Sequence, residues 1–89
     1  MSESGDDVFQ FPCRFPIKAM GLATYDIRGL LLAVLQHNDA TPHPDDVTWR
    51  LSGQGKYVSV TATIHATSRA QLDAIYIELH RDERIRYVL

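Results

Sequence analysis

Hydrophobic and polar residues alternate along four segments of the chain, which is the pattern of β-strands that bury one face. The segments are residues 13–20, 47–52, 57–65 and 84–89. The second and third of them flank a short turn that contains two glycines, so they are predicted to form a β-hairpin.

Two further segments repeat hydrophobic residues every three or four positions, as amphipathic helices do. Gly21 is predicted to end the first strand, and Thr24 to cap the first helix. The second helix is predicted to begin after Thr67 or Ser68, because Ser68 is followed three residues later by Gln71 in a capping-box pattern. The hydrophobic stripes consist of Ile27, Leu30, Leu31, Val34 and Leu35 in the first helix and Leu72, Ile75, Tyr76 and Leu79 in the second.

The order of these elements is strand, helix, strand, strand, helix, strand. It predicts an α+β fold of the ferredoxin-like type, in which a four-stranded antiparallel sheet carries two helices on one face. The right-handed crossover rule places strands one and three in the centre of the sheet. The stretch from His37 to Asp46 contains two prolines and several other turn formers, so it is predicted to be a loop.

A chain of 89 residues has room for one domain with one core. Residues 1–10 are acidic and poor in apolar groups, so we expect a disordered tail there and a single domain over residues 11–89. Because both helices lie on one side of the sheet, the more apolar set of each strand is expected to face them. The opposite face is then left open.

This open face is predicted to be rich in basic and hydroxyl groups. Five of the nine basic residues fall on it and none of the eleven acids does, although the whole chain has a net charge of -2. An exposed sheet face is ordinarily polar, and bases on edge strands discourage aggregation, so the pattern also has a purely structural explanation. Ile85, Tyr87 and Leu89 are expected to face the helices. The outward set is Arg14, Pro16, Lys18, Met20, Thr48, Arg50, Ser52, Tyr57, Ser59, Thr61, Thr63, His65, Arg84, Arg86 and Val88.

Neither an enzyme nor a cofactor is expected from the motifs in the chain. The turn from Met20 to Thr24 can present backbone amides to a carboxylate, but it lacks the spaced glycines of a dinucleotide site and the lysine of a P-loop. The four histidines lie in loops or at the ends of elements, without cysteine or carboxylate partners at ligand spacing, so no metal site is expected.

The segment GKYVSVTATI superficially resembles the third-strand motif of RNA-recognition modules. Its outward face has Ser59 after Tyr57, where base stacking requires a second aromatic, and this argues against sequence-specific RNA binding.

The location expected from the sequence is the cytoplasm, without membrane association. The single cysteine cannot form an internal disulfide, and the longest apolar run, residues 30–35, is far shorter than the roughly 20 residues of a membrane helix. The acidic start lacks the basic and apolar regions of a secretory signal.

Several motifs are distinctive in combination. They are the stretch FPCRFPIKAMG, the pattern Ser52-x-x-Gly55-x-Tyr57-x-Ser59-Val60, the pair Ala66-Thr67 with Gln71, Tyr76 and Leu79, and the final Val88-Leu89. Over residues 11–89 the chain resembles the YbeD-like family of small uncharacterised bacterial proteins. That resemblance implies a ferredoxin-like fold similar to ACT regulatory domains, which commonly bind ligands at the turn after the first strand. The chain departs from a relative in its longer acidic tail and in strand two, where Val47, Trp49 and Leu51 replace prolines and make a better pairing edge.

The sequence therefore predicts a non-catalytic regulatory or interaction domain that engages an acidic partner protein or a small carboxylate ligand. A weak nucleic-acid binder that uses the same face through phosphate contacts is the alternative, and its affinity would fall steeply with salt. A monomer and a homodimer both remain open. The residues expected to contact the partner are Arg14, Lys18, Gly21, Thr24, Arg50, Tyr57, Ser59, Thr61, His65, Arg84 and Arg86.

Overall fold

A computed structural model describes residues 10–89, which form a four-stranded sheet with two helices packed on one face. All neighbouring strands are antiparallel, and their order across the sheet is β2-β3-β1-β4. This confirms the predicted α+β ferredoxin-like fold. The tail predicted for residues 1–10 lies outside the described residues, apart from Gln10. The elements are β1 (Cys13–Leu22), α1 (Ile27–His37), β2 (Val47–Ser52), β3 (Tyr57–Ala66), α2 (Arg69–Arg81) and β4 (Ile85–Val88).

The core lies between the helices and the two central strands. The inward residues of β1 and β3 alternate strictly with outward ones, and the predicted helix stripes pack against them. Among the described residues, no polar or charged residue is buried. The fully buried larger side chains are Ile17, Ile27, Leu31, Leu35, Val60, Ile64, Ile75 and Leu79.

Both helices begin at side-chain caps, but only one of them is the predicted residue. Ser68 caps α2: its hydroxyl accepts a hydrogen bond from the Gln71 amide at 3.0 Å. Helix α1 is capped by Asp26, whose carboxylate accepts from the Gly29 amide at 2.9 Å, and the prediction of Thr24 is wrong. The reason is that β1 continues past Gly21 to Leu22, so the turn and the helix start later than expected.

Gly21 does not end β1 but lies inside it, between Val58 of β3 and Ile85 of β4. It is buried on the helix side. A Cβ atom at this position would collide with the carbonyl oxygen of Arg84 and the side chain of Ile27. The glycine is therefore required because the start of α1 and the start of β4 approach the backbone of β1 closely.

A β-bulge in β4 reverses the predicted faces of its second half. Met20 pairs with Tyr87 and Gly21 pairs with Ile85, so Arg86 has no residue directly opposite it. Beyond this extra residue, Val88 pairs with Ala19 and packs against the core, whereas Tyr87 lies on the open face. The prediction that Tyr87 and Leu89 face the helices and Val88 faces outward is wrong, and only that for Ile85 is confirmed.

The helices leave the inner side of β2 uncovered beyond Val47, which packs against the core, because α1 packs mainly over β1 and β3 and α2 over β3 and β4. Trp49 pairs with buried Val60, so it lies on the predicted side of the sheet. It is nevertheless 59% exposed, and Leu51 is 53% exposed. The expectation that the helices cover the apolar side of every strand is wrong for β2.

Candidate functional site

The open face is the side of the sheet opposite the helices. The strand register arranges its side chains in rows, in which directly opposite residues are close neighbours. Lys18 and Leu89 exchange both backbone hydrogen bonds, at 3.0 and 2.8 Å, so Leu89 extends the ladder by one pair beyond β4. The two central rows are Arg50, Ser59, Met20 and Tyr87, and Thr48, Thr61, Lys18 and Leu89.

Lys18 and Arg50 are the predicted bases that remain available on this face. Neither forms an ion pair with any acid among residues 10–89. Lys18 lies directly opposite Thr61, and Arg50 lies directly opposite Ser59. Two strand spacings across the sheet and two residues along the strands separate the backbones of the two bases, which amounts to about 12 Å. Each base therefore has a hydroxyl group as its cross-strand neighbour.

Two of the predicted bases are held by acids instead. Arg14 pairs with His65 of β3 at one end of the face, and its Nη2 lies 3.1 Å from Oδ1 of Asp46. Asp46 is brought there by a 3-10 turn, Pro44–Asp46, within the stretch predicted as a loop. The expectation that no acid accompanies the bases of this face is wrong at this point.

Arg84 lies in the turn before β4, not in the strand. Its Nε and Nη2 donate to the two carboxylate oxygens of Asp82 at 2.9 and 2.8 Å. These hydrogen bonds raise the pKa of Arg84 and lower the pKa of Asp82. Arg86 is exposed at the bulge, outside the regular alternation. The predicted basic surface is thus reduced to Lys18 and Arg50 on the regular rows.

Two tyrosines lie on the same face as these bases. Tyr57 is half-buried at the start of β3, and the Lys56 ammonium lies 5.6 Å from its ring centroid. Tyr87 is 53% exposed and is separated from Ser59 by Met20 in the same row. The hydrophobic pattern placed Tyr87 on the helix side, because a bulge in a four-residue strand leaves no signal in that pattern.

The turn between β1 and α1 does not join the open face. The Ala23 amide donates to the Lys56 carbonyl at 2.8 Å, and the Tyr25 amide donates to the Leu22 carbonyl at 3.1 Å. The carboxylate of Asp26 occupies the N-terminus of α1, where a bound anion would have to lie. Gly21 faces the helices and Thr24 is exposed in the turn, so neither is brought beside Lys18 or Arg50.

A polar cluster that the sequence did not predict joins the ends of the two helices. Glu78 accepts hydrogen bonds from Asn38 at 3.0 Å and from His37 at 3.1 Å, and these contacts lower its pKa. Gln71 donates to the Asn38 carbonyl at 2.9 Å. His43 also has a carboxylate neighbour, Asp45 at 3.5 Å. Within residues 10–89 no group of three or more histidine, cysteine or acidic side chains is placed to hold a metal ion.

Comparisons with known proteins agree with this architecture. Residues 6–89 match the profile DUF493, a family described as protein of unknown function. The chain is 37% identical to a UPF0250 protein of Paraburkholderia phytofirmans and 36% identical to one of Chromobacterium violaceum, in both cases over 100% of each chain. The solution structure of protein HP0495 from H. pylori is similar with a TM-score of 0.66 at 11% identity, covering 100% of this chain and 98% of that one. In the described part of the chain, neither helix is long and apolar enough to cross a membrane.

Proposed function

This chain belongs to the DUF493 family, as its resemblance to YbeD-like proteins predicts, and we propose that it is a non-catalytic interaction domain that binds an acidic partner on the open face of its sheet. The observation that carries this proposal is the pair Lys18 and Arg50, which share one face and have no acidic partner among residues 10–89.

The chemistry of the two rows suits carboxylates. A carboxylate beside Lys18 or Arg50 receives a charge-assisted hydrogen bond from the base and a second one from the neighbouring hydroxyl of Thr61 or Ser59. The separation of about 12 Å between the bases is close to the roughly 13 Å between side chains four residues apart in an extended peptide, which lie on the same face. An acidic protein segment therefore fits better than a single small carboxylate.

The geometry of the two central rows does not favour catalysis. Ser59 and Thr61 have basic, hydroxyl, aromatic and thioether neighbours in their rows, and no carboxylate or imidazole lies directly opposite them on β1 or β2. A general base is therefore missing from the central rows as the described residues form them.

The proposal is tested by following backbone amide shifts while a synthetic peptide with glutamates four positions apart is added. We expect the shifts to concentrate on β1, β2 and β3 around Lys18, Arg50 and Ser59. The double variant Lys18→Gln/Arg50→Gln is expected to weaken binding at least about fivefold, the effect of two partly screened charge pairs. Arg28→Gln/Arg81→Gln removes the same charge from the helix layer and is expected to weaken binding less than twofold. Absence of binding, or equal losses in both variants, contradicts the proposal.

Nucleic-acid binding is the second candidate, and the position of Tyr87 favours it. With Tyr57 and Tyr87 on one face, bases could stack on the sheet while Lys18 and Arg50 contact phosphates. Because stacking contributes about 1–3 kcal/mol per base, Tyr87→Ala is expected to weaken binding of a mixed-sequence single-stranded oligonucleotide at least fivefold. Tyr25→Ala is the matched control, since Tyr25 is 44% exposed on the opposite side of the fold. A Tyr87→Ala variant that binds the oligonucleotide as tightly as wild type would exclude a stacking platform.

We extend the proposal in two respects. A regulatory role similar to that of ACT domains is supported by the shared βαββαβ order of elements. A cytoplasmic location is supported by the unpaired thiol of Cys13. Fractionation of cells that express the chain tests the location, and enrichment outside the cytoplasm would contradict it.

A further inference from the structure

The free edge of β2 carries an exposed apolar surface. Trp49 and Leu51 are 59% and 53% exposed, and Tyr25 in the turn between β1 and α1 is 44% exposed. Together with Ile27 and Val58 these side chains line an open groove of about 340 Å³. Exposed aromatic and aliphatic residues that are contiguous, and not scattered, mark an interaction surface.

Most of the outward backbone groups of this edge are also unpaired, and the register shows which groups they are. The peptide groups of Lys18 point towards β4, because Lys18 and Leu89 exchange both hydrogen bonds. The peptide groups of successive residues in a strand point to alternate sides. Because the registers of β1 with β3 and of β3 with β2 are uninterrupted, the direction at Lys18 fixes the direction of the peptide groups at all other positions of these strands. The peptide groups of Thr48, Arg50 and Ser52 point towards β3. Those of Trp49 and Leu51 and the carbonyl of Val47 point outward, whereas the Val47 amide donates to the Pro44 carbonyl.

We infer that this edge is an interface between two copies of the chain, which pair antiparallel through β2 about a twofold axis at Trp49. In this register Trp49 pairs with Trp49 of the second copy, and Val47 pairs with Leu51 of the second copy. The two Trp49 residues then exchange both hydrogen bonds, and the Leu51 amide of each copy donates to the Val47 carbonyl of the other, which gives about four hydrogen bonds between the copies. The exposed apolar side chains of both copies meet on the helix side of one continuous sheet.

The charges on the opposite side select this register. Arg50 lies opposite Thr48 of the second copy, so no like charges face each other directly. A shift that pairs Trp49 with Leu51 would place Arg50 directly opposite Arg50. The reverse shift would pair Leu51 with Asp45, which belongs to a 3-10 turn and not to a strand.

The size of the interface predicts a weak dimer. Each copy contributes Trp49, Leu51 and part of Tyr25, and a buried aromatic side chain contributes at most about 150–250 Å². With the backbone of the two strands the interface reaches about 1,000 Å², the lower limit for a specific complex. We therefore expect a dissociation constant of roughly 10–500 μM.

The experiment measures self-association by sedimentation equilibrium and by the fluorescence of Trp49, which is the only tryptophan of the chain. The emission is expected to shift to shorter wavelength as concentration rises. Leu51→Lys is expected to raise the dissociation constant at least tenfold. Ile77→Lys is the matched control, because Ile77 on α2 is also 53% exposed, and it is expected to change the constant less than twofold.

Amide hydrogen exchange tests the orientation of β2. The amides of Trp49 and Leu51 are expected to become protected only at high concentration, while those of Thr48 and Arg50 are protected at every concentration. A chain that remains monomeric at about 1 mM, or equal effects of Leu51→Lys and Ile77→Lys, overturns the inference. Protection of β4 instead of β2 overturns it as well. The proposed acidic ligand is not used in these measurements, so their outcome is independent of the function proposed above.

Discussion

The two edge strands of the sheet, β2 and β4, depart from the hydrophobic pattern in opposite ways. In β2 the side chains lie on the predicted faces, but Trp49 and Leu51 stay exposed because neither helix covers them. In β4 the strand is covered by α2, but a bulge at Arg86 exchanges the faces of Tyr87 and Val88. Alternation therefore predicts the side of the sheet only where the register is regular, and it predicts burial only where another element packs.

The largest expected effect is the difference in stability between a substitution in β4, which α2 covers, and one in the part of β2 that no helix covers. Ile85 of β4 is 8% exposed, so Ile85→Ala is expected to lower the free energy of unfolding by about 2–5 kcal/mol through lost burial and a cavity. Leu51→Ala on β2 is expected to change it by no more than about 0.5 kcal/mol. Urea denaturation at low protein concentration measures both, and equal effects would mean that the two edges are buried alike.

Gly21→Ala tests how closely the start of β4 and the start of α1 approach the backbone of β1. The added methyl group would meet the Arg84 carbonyl and the Ile27 side chain, so we expect a loss of about 1–3 kcal/mol from overpacking. Gly55→Ala is an informative comparison, because its Cβ would meet nothing within 4 Å and only the positive φ of 87° opposes it. If Gly21→Ala were neutral, the backbone of β4 would not lie against β1 as described.

The bulge in β4 predicts a smaller change in stability, but one whose order between two variants depends on the bulge. Val88 packs against the core and Tyr87 is 53% exposed, so Val88→Ala is expected to destabilise the fold by about 1 kcal/mol and Tyr87→Ala by less than about 0.5 kcal/mol. Uninterrupted alternation would give the reverse order. Thermal unfolding of the two variants therefore decides whether the bulge is present in solution.

The smallest effect concerns the contact that holds the two helices together. Hydrogen bonds from Asn38 and His37 keep the pKa of Glu78 below its ordinary value of 4.5. A carboxylate whose pKa is lowered on folding stabilises the fold above its unfolded pKa, and this contribution is lost as the pH falls through the folded pKa. We expect wild type to lose stability below about pH 4.5 more steeply than Glu78→Gln.

Glu83→Gln is the control for this comparison, because Glu83 is exposed and forms no salt bridge with the described residues. Stability curves of Glu78→Gln and wild type with the same slope below about pH 4.5 would contradict the role assigned to Glu78.

The candidate site was predicted in part from the sequence. Lys18, Arg50, Tyr57, Ser59 and Thr61 share one face as expected, because β1, β2 and β3 pair without interruption. Tyr87 was assigned to the wrong side, since a bulge depends on how β4 fits against Met20 and Gly21.

Two other predicted bases form salt bridges with acids, and one of these acids is distant in sequence. Arg14 is 32 residues from Asp46, a separation over which sequence patterns carry no contact information. Arg84 is only two residues from Asp82, but their pairing depends on the turn that precedes β4.

The amino-acid sequence by itself determined the order of the elements, the hairpin, the cap of α2 and the buried stripes of both helices. These features follow from periodicity and capping, which act over a few residues. Only the tertiary structure decided which strand the helices leave exposed, where the bulge in β4 lies and which basic residues form ion pairs with acids. These depend on packing between segments distant in the chain, where the space left by one element determines what the next can cover.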